Sequence, residues 1–334
     1  MRVQVAVPRH LGDAVLALPA LRRLARVADV LIRADGGAAR LLAGQGPWSI
    51  AADRRSTWEP LPTLLLSGST RVALTALAAR ARIRVGRATD GRGLLLTHRV
   101  APPPQPLPRT TPAGRRLPAL VTDEHQADAW LRAAARFADV LGLTLVAQQD
   151  DDRLELVADD HAVAARWLAH AGDPTVLLHP WAAGMVTKRW PVERWVELGE
   201  RLRAGGQGIA VTGGPDAEDA RTARLLAGRL GFPVAAGDGT LSPSVWAAAA
   251  RRVERVVLPD TGMAHVAVAA GAGAVVVFGS TDPARHAPRG TGRARLLHRA
   301  DLDCGPCYRA RCTGPVPYAC LSWSAERVAR EVTA

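Results

Sequence analysis

Val256-Val257-Leu258-Pro259-Asp260-Thr261-Gly262-Met263-Ala264-His265 runs on through Val266–Ala270 and is followed, after a short break, by Ala274-Val275-Val276-Val277-Phe278. The first and last runs are short, apolar and rich in valine, as strands buried on both faces are. The middle run is a helix opening at an acid-Thr-Gly turn. Strand, turn, helix, strand is the repeat of an α/β protein with a parallel sheet.

Working outward, the same alternation fills the chain. Strands are expected at Val3–Val7, Val30–Arg33, Thr63–Leu66, Arg82–Val85, Val176–His179, Gly208–Thr212, Val234–Ala235, Val256–Pro259 and Ala274–Phe278. Helices are expected at Asp13–Val27, Ser69–Ala81, Glu124–Leu141, Asp160–Ala171, Val192–Ala204, Pro215–Leu230, Ser242–Arg252 and Met263–Ala270. In Glu124–Leu141 the apolar residues Ala127, Trp130, Leu131, Ala134, Phe137, Ala138 and Leu141 recur at three- and four-residue spacing, which marks one buried face. Pro-rich Ala101–Pro118 is unsuited to a helix interior or a central strand. The acids Asp150-Asp151-Asp152 and the turn Gly172-Asp173-Pro174 flank the join between two halves. The expected domains are residues 1–158 and 159–334. Each opens with a strand and a special turn, as two Rossmann-like domains facing across a ligand cleft do.

Composition excludes several classes. The chain has 334 residues, 48% of them hydrophobic, enough for two sizeable cores and too apolar for disorder. It lacks an unbroken apolar run of about 18 residues, so no membrane-spanning helix is expected. The opening Met1–Pro8 reads as a strand and not as a signal peptide, and the expected location is the cytoplasm. The formal net charge is +12, which suits an anionic partner. The arginines are nevertheless scattered, without a basic block interleaved with aromatics, so no nucleic-acid partner is expected. Of 43 basic residues, Lys188 alone is lysine. A lysine that persists in an arginine-rich chain points to a site, because a compact ammonium and a planar guanidinium are not interchangeable.

Chemistry-bearing residues gather in strand-to-helix turns, where open α/β sheets bind ligands. Asp13, in Arg9-His10-Leu11-Gly12-Asp13, is either a helix N-cap or a carboxylate facing the cleft as general base. Lys188 lies in the loop from His179-Pro180-Trp181 to Thr187-Lys188-Arg189-Trp190-Pro191, just before a helix start suited to phosphate. Trp190 and Trp195 read as core or cleft-wall packing. Thr212-Gly213-Gly214-Pro215-Asp216-Ala217-Glu218 places acids either to bind ribose hydroxyls or to complement a helix dipole. Asp260, Thr261, Gly262, Met263 and His265 form a candidate ligand turn, in which Gly262 lets a phosphate approach main-chain N–H groups. Gly279-Ser280-Thr281-Asp282-Pro283 adds another turn at the same sheet edge. Cys304, Cys307, Cys312 and Cys320 could hold a structural zinc, form two local disulfides, carry an iron–sulfur cluster, or stay free thiols.

These residues together resemble glycosyltransferase family 9, the heptosyltransferases of lipopolysaccharide core synthesis. The resemblance rests on Gly12-Asp13 with Leu18-Pro19-Ala20-Leu21, on His179-Pro180 with Lys188-Arg189-Trp190-Pro191, on Thr212-Gly213-Gly214, and on Asp260–His265. The terminal Cys cluster also resembles one found in many members. The similarity implies a GT-B fold with the acceptor on the first domain and the nucleotide-sugar on the second. It implies an inverting transfer with no catalytic cofactor or metal, usually from ADP-heptose. By that resemblance Asp13 is the general base and Lys188 contacts the donor phosphates. Asp260, Thr261, Gly262, Met263 and His265 bind the donor, and Glu218 or Asp216 its ribose. The acceptor is a glycan, a glycolipid or a small molecule; Arg9, Arg71 and Arg87 are candidates to meet it. Peripheral contact with the inner face of the membrane goes with a glycolipid acceptor. The last helix, Ser324–Val332, is expected to cross back to the first domain.

One departure stands out. Members usually carry Gly and a small hydroxyl residue after His-Pro, and this chain has Trp181-Ala182-Ala183. A different nucleotide-sugar, or a sugar epimerase on the same architecture, is therefore the second reading. A non-catalytic, zinc-bearing binding protein is the third.

Overall fold

A computed structural model describes residues 1–51, 57–89, 91–100, 124–149, 152–213, 217–231 and 241–334, with backbone alone at 217–220. The expected strand Val234–Ala235, the whole Pro-rich stretch, and Asp150, Asp151 and Asp216 lie outside the described residues. The chain divides into two compact units whose described parts meet between Glu155 and Leu156.

In the first unit the order is β1 (Arg2–Ala6), α1 (Leu11–Leu16), α2 (Leu18–Ala25), β2 (Asp29–Arg33), α3 (Gly36–Leu42), β3 (Ser49–Ala51), β4 (Thr63–Leu65), α4 (Thr70–Ala78), β5 (Arg84–Arg87), a 3-10 turn (Arg92–Leu95), β6 (His98–Val100) and α5 (Gln126–Val140). Six parallel strands lie in the order β3-β2-β1-β4-β5-β6. The order reverses between β1 and β4, so the crevice at their carboxyl ends is the natural ligand position of this sheet. The single expected helix Asp13–Val27 is two. Pro19 has no N–H to donate to Val15, and the chain breaks at Ala17 before restarting with Pro19 in the first turn of α2.

The second unit runs α6 (Ala158–His170), β7 (Val176–Leu178), a 3-10 turn (Val186–Lys188), α7 (Val192–Ala204), β8 (Ile209–Val211), α8 (Ala217–Leu230), α9 (Pro243–Arg252), β9 (Arg255–Pro259), α10 (Gly262–Ala269), β10 (Ala274–Val277), α11 (Pro283–His286), β11 (Ala294–Leu297), a 3-10 turn (Ala319–Leu321) and α12 (Ala325–Thr333). Its described strands are parallel, in the order β11-β10-β9-β7-β8. Here the switch point falls between β7 and β9. The βα units read from Val256–Phe278 are present as β9, α10 and β10.

The core of this unit explains the tryptophans. α7 buries Trp195, Leu198 and Leu202 at helical spacing against Val176, Leu178 and Val211. Trp190 meets Trp195 edge to face at 5.1 Å and donates from Nε1 to the Trp323 carbonyl at 3.2 Å. Both tryptophans are core residues. Val328 and Val332 of α12 join the same cluster, and α12 packs on α7 and β10. The last helix is therefore part of the second unit's own core, with its apolar stripe against α7.

Candidate functional site

In the first unit Asp13 is the third residue of α1, half-buried, just beyond the carboxyl end of β1. The helix starts two residues earlier than expected and His10 is its N-cap residue, so the N-cap reading of Asp13 is overturned. Arg9 follows β1, Arg71 lies in the first turn of α4 after β4, and Arg87 ends β5. β1, β4 and β5 are parallel neighbours, so these three arginines and Asp13 share one sheet edge at the switch point. Arg9 and Arg71 are exposed and Arg87 is half-buried.

The second unit's edge is denser. Lys188 Nζ lies 2.7 Å from Asp260 Oδ2, joining the loop after β7 to the end of β9 across the switch point. The Thr281 hydroxyl donates to the same oxygen at 2.6 Å. Asp260 is only 4% exposed. Burial alone would raise its carboxyl, but the Lys188 charge and hydrogen bond, the Thr281 hydroxyl and the nearby His265 outweigh that and hold it below the usual carboxylate range. The buried His265 is the fourth residue of α10. Thr261 is the N-cap residue of α10 by position, yet its side chain makes no capping bond. Thr261, Gly262 and Met263 stay half-buried, so the helix start remains suited to an anion.

Behind this edge lies a buried hydrogen-bonded network. His179 Nδ1 and the Thr212 hydroxyl share a hydrogen bond of 3.0 Å, and Trp246 Nε1 donates to the same hydroxyl at 3.2 Å. Burial lowers His179 to about 4, so the imidazole is neutral at physiological pH. The unusual Trp181 has a partner. The Arg189 guanidinium stacks over its ring at 3.7 Å from the centroid, and Arg189 Nε donates to the Ala182 carbonyl at 3.0 Å. The stack closes the loop that carries Lys188.

The Lys188 loop is also fastened from outside the expected set of residues. The Thr187 hydroxyl donates to the Arg309 carbonyl at 2.5 Å and shares a bond of 2.8 Å with the Ser280 hydroxyl. Val186 N donates to the Ala310 carbonyl, and Tyr308 N to the Ser280 carbonyl. Asp282 N donates to the Tyr308 hydroxyl at 3.3 Å, and burial pushes that hydroxyl up to about 12. Gly279 is obligatory here, since a Cβ would come within 1.9 Å of the Thr187 carbonyl oxygen. Thus three loops, 186–189, 279–282 and 308–310, interlock. The sequence motifs include Thr187 and the turn 279–283 but not Tyr308 or Arg309, which reach this site largely through backbone groups.

The loop 308–310 belongs to the Cys segment. All four cysteines are free thiols. They lie near one another: Cys304 and Cys312 sulfurs both flank Gly314, and Cys320, pushed up to about 11 by burial first, also feels Cys307, Cys304 and Cys312. Among the described residues, however, no group of three or more His, Cys, Asp or Glu side chains is arranged to hold a metal ion. Of the ribose candidates, Glu218 lies in the first turn of α8, with only its backbone described, and Asp216 is outside the described residues. No described helix is long and apolar enough to cross a membrane.

Comparison with known proteins fits this geometry. The chain is 33% identical over 172 residues to lipopolysaccharide heptosyltransferase 1 of Pseudomonas aeruginosa, a match covering 51% of this chain and 46% of that relative. The aligned part thus spans about half the length of that curated relative. Among solved structures, ADP-heptose lps heptosyltransferase II of E. coli shares the fold with a TM-score of 0.71 at 18% identity, covering 100% of this chain and 98% of that one. E. coli heptosyltransferase WaaC with ADP gives 0.64 at 18% identity over 100% and 99%. The architecture is accordingly GT-B. The sequence profile described as glycosyltransferase family 9 (heptosyltransferase) matches residues 63–315, from β4 through the Lys188 and Asp260 turns to the Cys segment, and the chain belongs to that family.

Proposed function

We propose that the protein is an inverting glycosyltransferase that moves a heptose from ADP-heptose to a hydroxyl of a glycan, glycolipid or small molecule. The Lys188–Asp260 pair at the second unit's switch point carries this reading. An ammonium has three N–H donors. Asp260 and its Thr281 bond fix the position of the ammonium, and its remaining donors are available to a diphosphate. The start of α10 adds main-chain N–H groups and the positive end of a helix dipole. In this reading Lys188 and α10 meet the negative charge that develops on the leaving diphosphate, the task a divalent cation performs in other transferases.

Asp13 takes the proton of the acceptor hydroxyl. The oxygen then bonds to the anomeric carbon from the face opposite the diphosphate. The carbon–oxygen bond to the phosphate breaks, nucleoside diphosphate leaves, and the anomeric configuration inverts. ADP is chosen because WaaC, which shares this fold, was solved with it. Arg9, Arg71 and Arg87 suit an anionic acceptor.

A second reading has a specific observation behind it. Trp181-Ala182-Ala183 stands where members usually carry Gly and a small hydroxyl residue, Arg189 holds Trp181 in place, and this favours a different nucleotide or sugar. A panel of ADP-, GDP- and UDP-sugars, scored for binding by calorimetry and for slow hydrolysis, separates the two. ADP-sugars are expected to bind tightest, and a preference for GDP or UDP overturns the donor assignment. Transfer is expected to persist in a chelator; its loss would overturn the metal-independent mechanism.

A further inference from the structure

The first unit carries a surface that the transfer chemistry does not use. α4 buries Val72, Ala73 and Ala76 with Leu65 and Leu96. On its other side Leu74 and Leu77, three residues apart, stand 50% and 43% exposed. The 3-10 turn Arg92–Leu95 packs beside α4 and holds out Leu94 at 88% exposure. One exposed leucine is ordinary, whereas three on two elements in contact with each other call for a partner. The turn is braced. Arg84 Nε donates to the Leu95 carbonyl at 2.7 Å, Arg99 Nε to the Gly93 carbonyl at 3.3 Å, and the buried Arg92 to the Arg87 carbonyl at 2.7 Å and to the Ser67 carbonyl. Leu94 is therefore presented on a fixed support.

The charge around the patch is segregated. Residues 69–100 hold seven of the 43 basic residues and one of the 31 acidic ones, so these 32 residues supply half of the net +12. Arg80 is telling. α4 ends with Arg80 N donating to the Leu77 carbonyl and Ala81 N to the Ala76 carbonyl, a Schellman turn whose left-handed position favours glycine. Arg80 occupies it at φ 58°, so a cation stands at the helix end despite backbone strain.

We propose that α4 and the Arg92–Leu95 turn dock the protein on an anionic lipid bilayer. Leu74, Leu77 and Leu94 enter the headgroup boundary, and Arg80 and Arg82 meet lipid phosphates. Leucines rimmed by arginines fit that boundary on both counts. A second copy would bring the same positive charge to the contact, and an acidic protein surface would leave the three leucines without apolar partners. The surface belongs to the first unit and the donor turns to the second, and the proposal does not depend on the donor assignment.

The test is co-sedimentation of the full chain with phosphatidylcholine vesicles with and without phosphatidylglycerol. The wild type is expected to pellet with the anionic vesicles and poorly with the neutral ones. Leu74→Ser/Leu77→Ser/Leu94→Ser is expected to lower partitioning by roughly tenfold or more, and Arg80→Gln/Arg82→Gln by about fivefold per charge. Leu225→Ser, at an exposed leucine of the second unit, should change nothing. ADP binding by calorimetry should be unaltered in every variant, which separates this proposal from the donor reading. Failure of the wild type to bind anionic vesicles, or binding by the triple-leucine variant at wild-type level, would overturn the proposal. So would sedimentation velocity showing a dimer that the leucine substitutions abolish.

Discussion

The two sheet edges put similar turns to different uses. At the first, Asp13, Arg9, Arg71 and Arg87 are exposed or half-buried and come from three separate strand ends. At the second, Lys188, Asp260 and Thr281 converge on one carboxylate oxygen, with His179, Thr212 and Trp246 bonded behind them. A buried charge must be paired and hydrogen-bonded, so the second edge tolerates little change. An exposed arginine can be exchanged at small cost. On the function proposed above, the contrast suits a constant nucleotide at the second edge and a variable acceptor at the first.

The strongest way to break the comparison lies at the open edge. Asp13→Asn is expected to keep nucleotide affinity while turnover falls by about 10²–10⁴-fold. Steady-state kinetics beside calorimetry checks it, and near-wild-type transfer removes the base assignment. The next effect tests how closed the second edge is. His179 titrates near 4 when folded and near 6.5 when unfolded. The unfolded chain therefore binds the extra proton between those values. The His179 contribution is full above pH 6.5 and is lost as pH falls toward 4, by about 2–3 kcal/mol. Urea unfolding at pH 7 and pH 4.5 reads this, and His179→Asn should flatten the dependence.

Lys188→Ala is expected to weaken ADP binding about tenfold or more, and Lys188→Arg should not restore it, because a planar fork cannot replace a point charge held by Asp260. Unchanged affinity would take Lys188 out of the site. The smallest effect sharpens the contrast directly. Thr281→Val should cost about 1 kcal/mol in stability, while Arg71→Gln should stay within about 0.5 kcal/mol. Equal losses in thermal unfolding would mean that the first edge is as tightly built as the second.

How much of this was legible follows from the range of the interactions. β9, α10 and β10 were readable from local pattern, as was α7, whose bounds coincide with the expected Val192–Ala204. The edge strands Ser49–Ala51, His98–Val100 and Ala294–Leu297 escaped notice because each is short and half-exposed. The break at Ala17 was signalled by Pro19, but the strong amphipathic pattern around it masked the signal. At the site, composition singled out Lys188 and the acid-Thr-Gly turn singled out Asp260. Their pairing is a tertiary contact between turns that strand order alone brings together. Tyr308 and Arg309 had no local signature, since what they offer the site is mainly backbone N–H and C=O.

The interlock of loops 186–189, 279–282 and 308–310 also sets terms for change. A length change in any of them would push Thr187 off the Gly279 backbone, or pull the Ser280 and Arg309 partners away from its hydroxyl. Attempts to redirect donor choice by grafting one loop from a relative should fail through lost packing, whereas exchanging all three as a cassette preserves the joint. For an engineer these three loops, which the proposed function gives to the donor, are a single interchangeable part, with the Cys segment as its clasp.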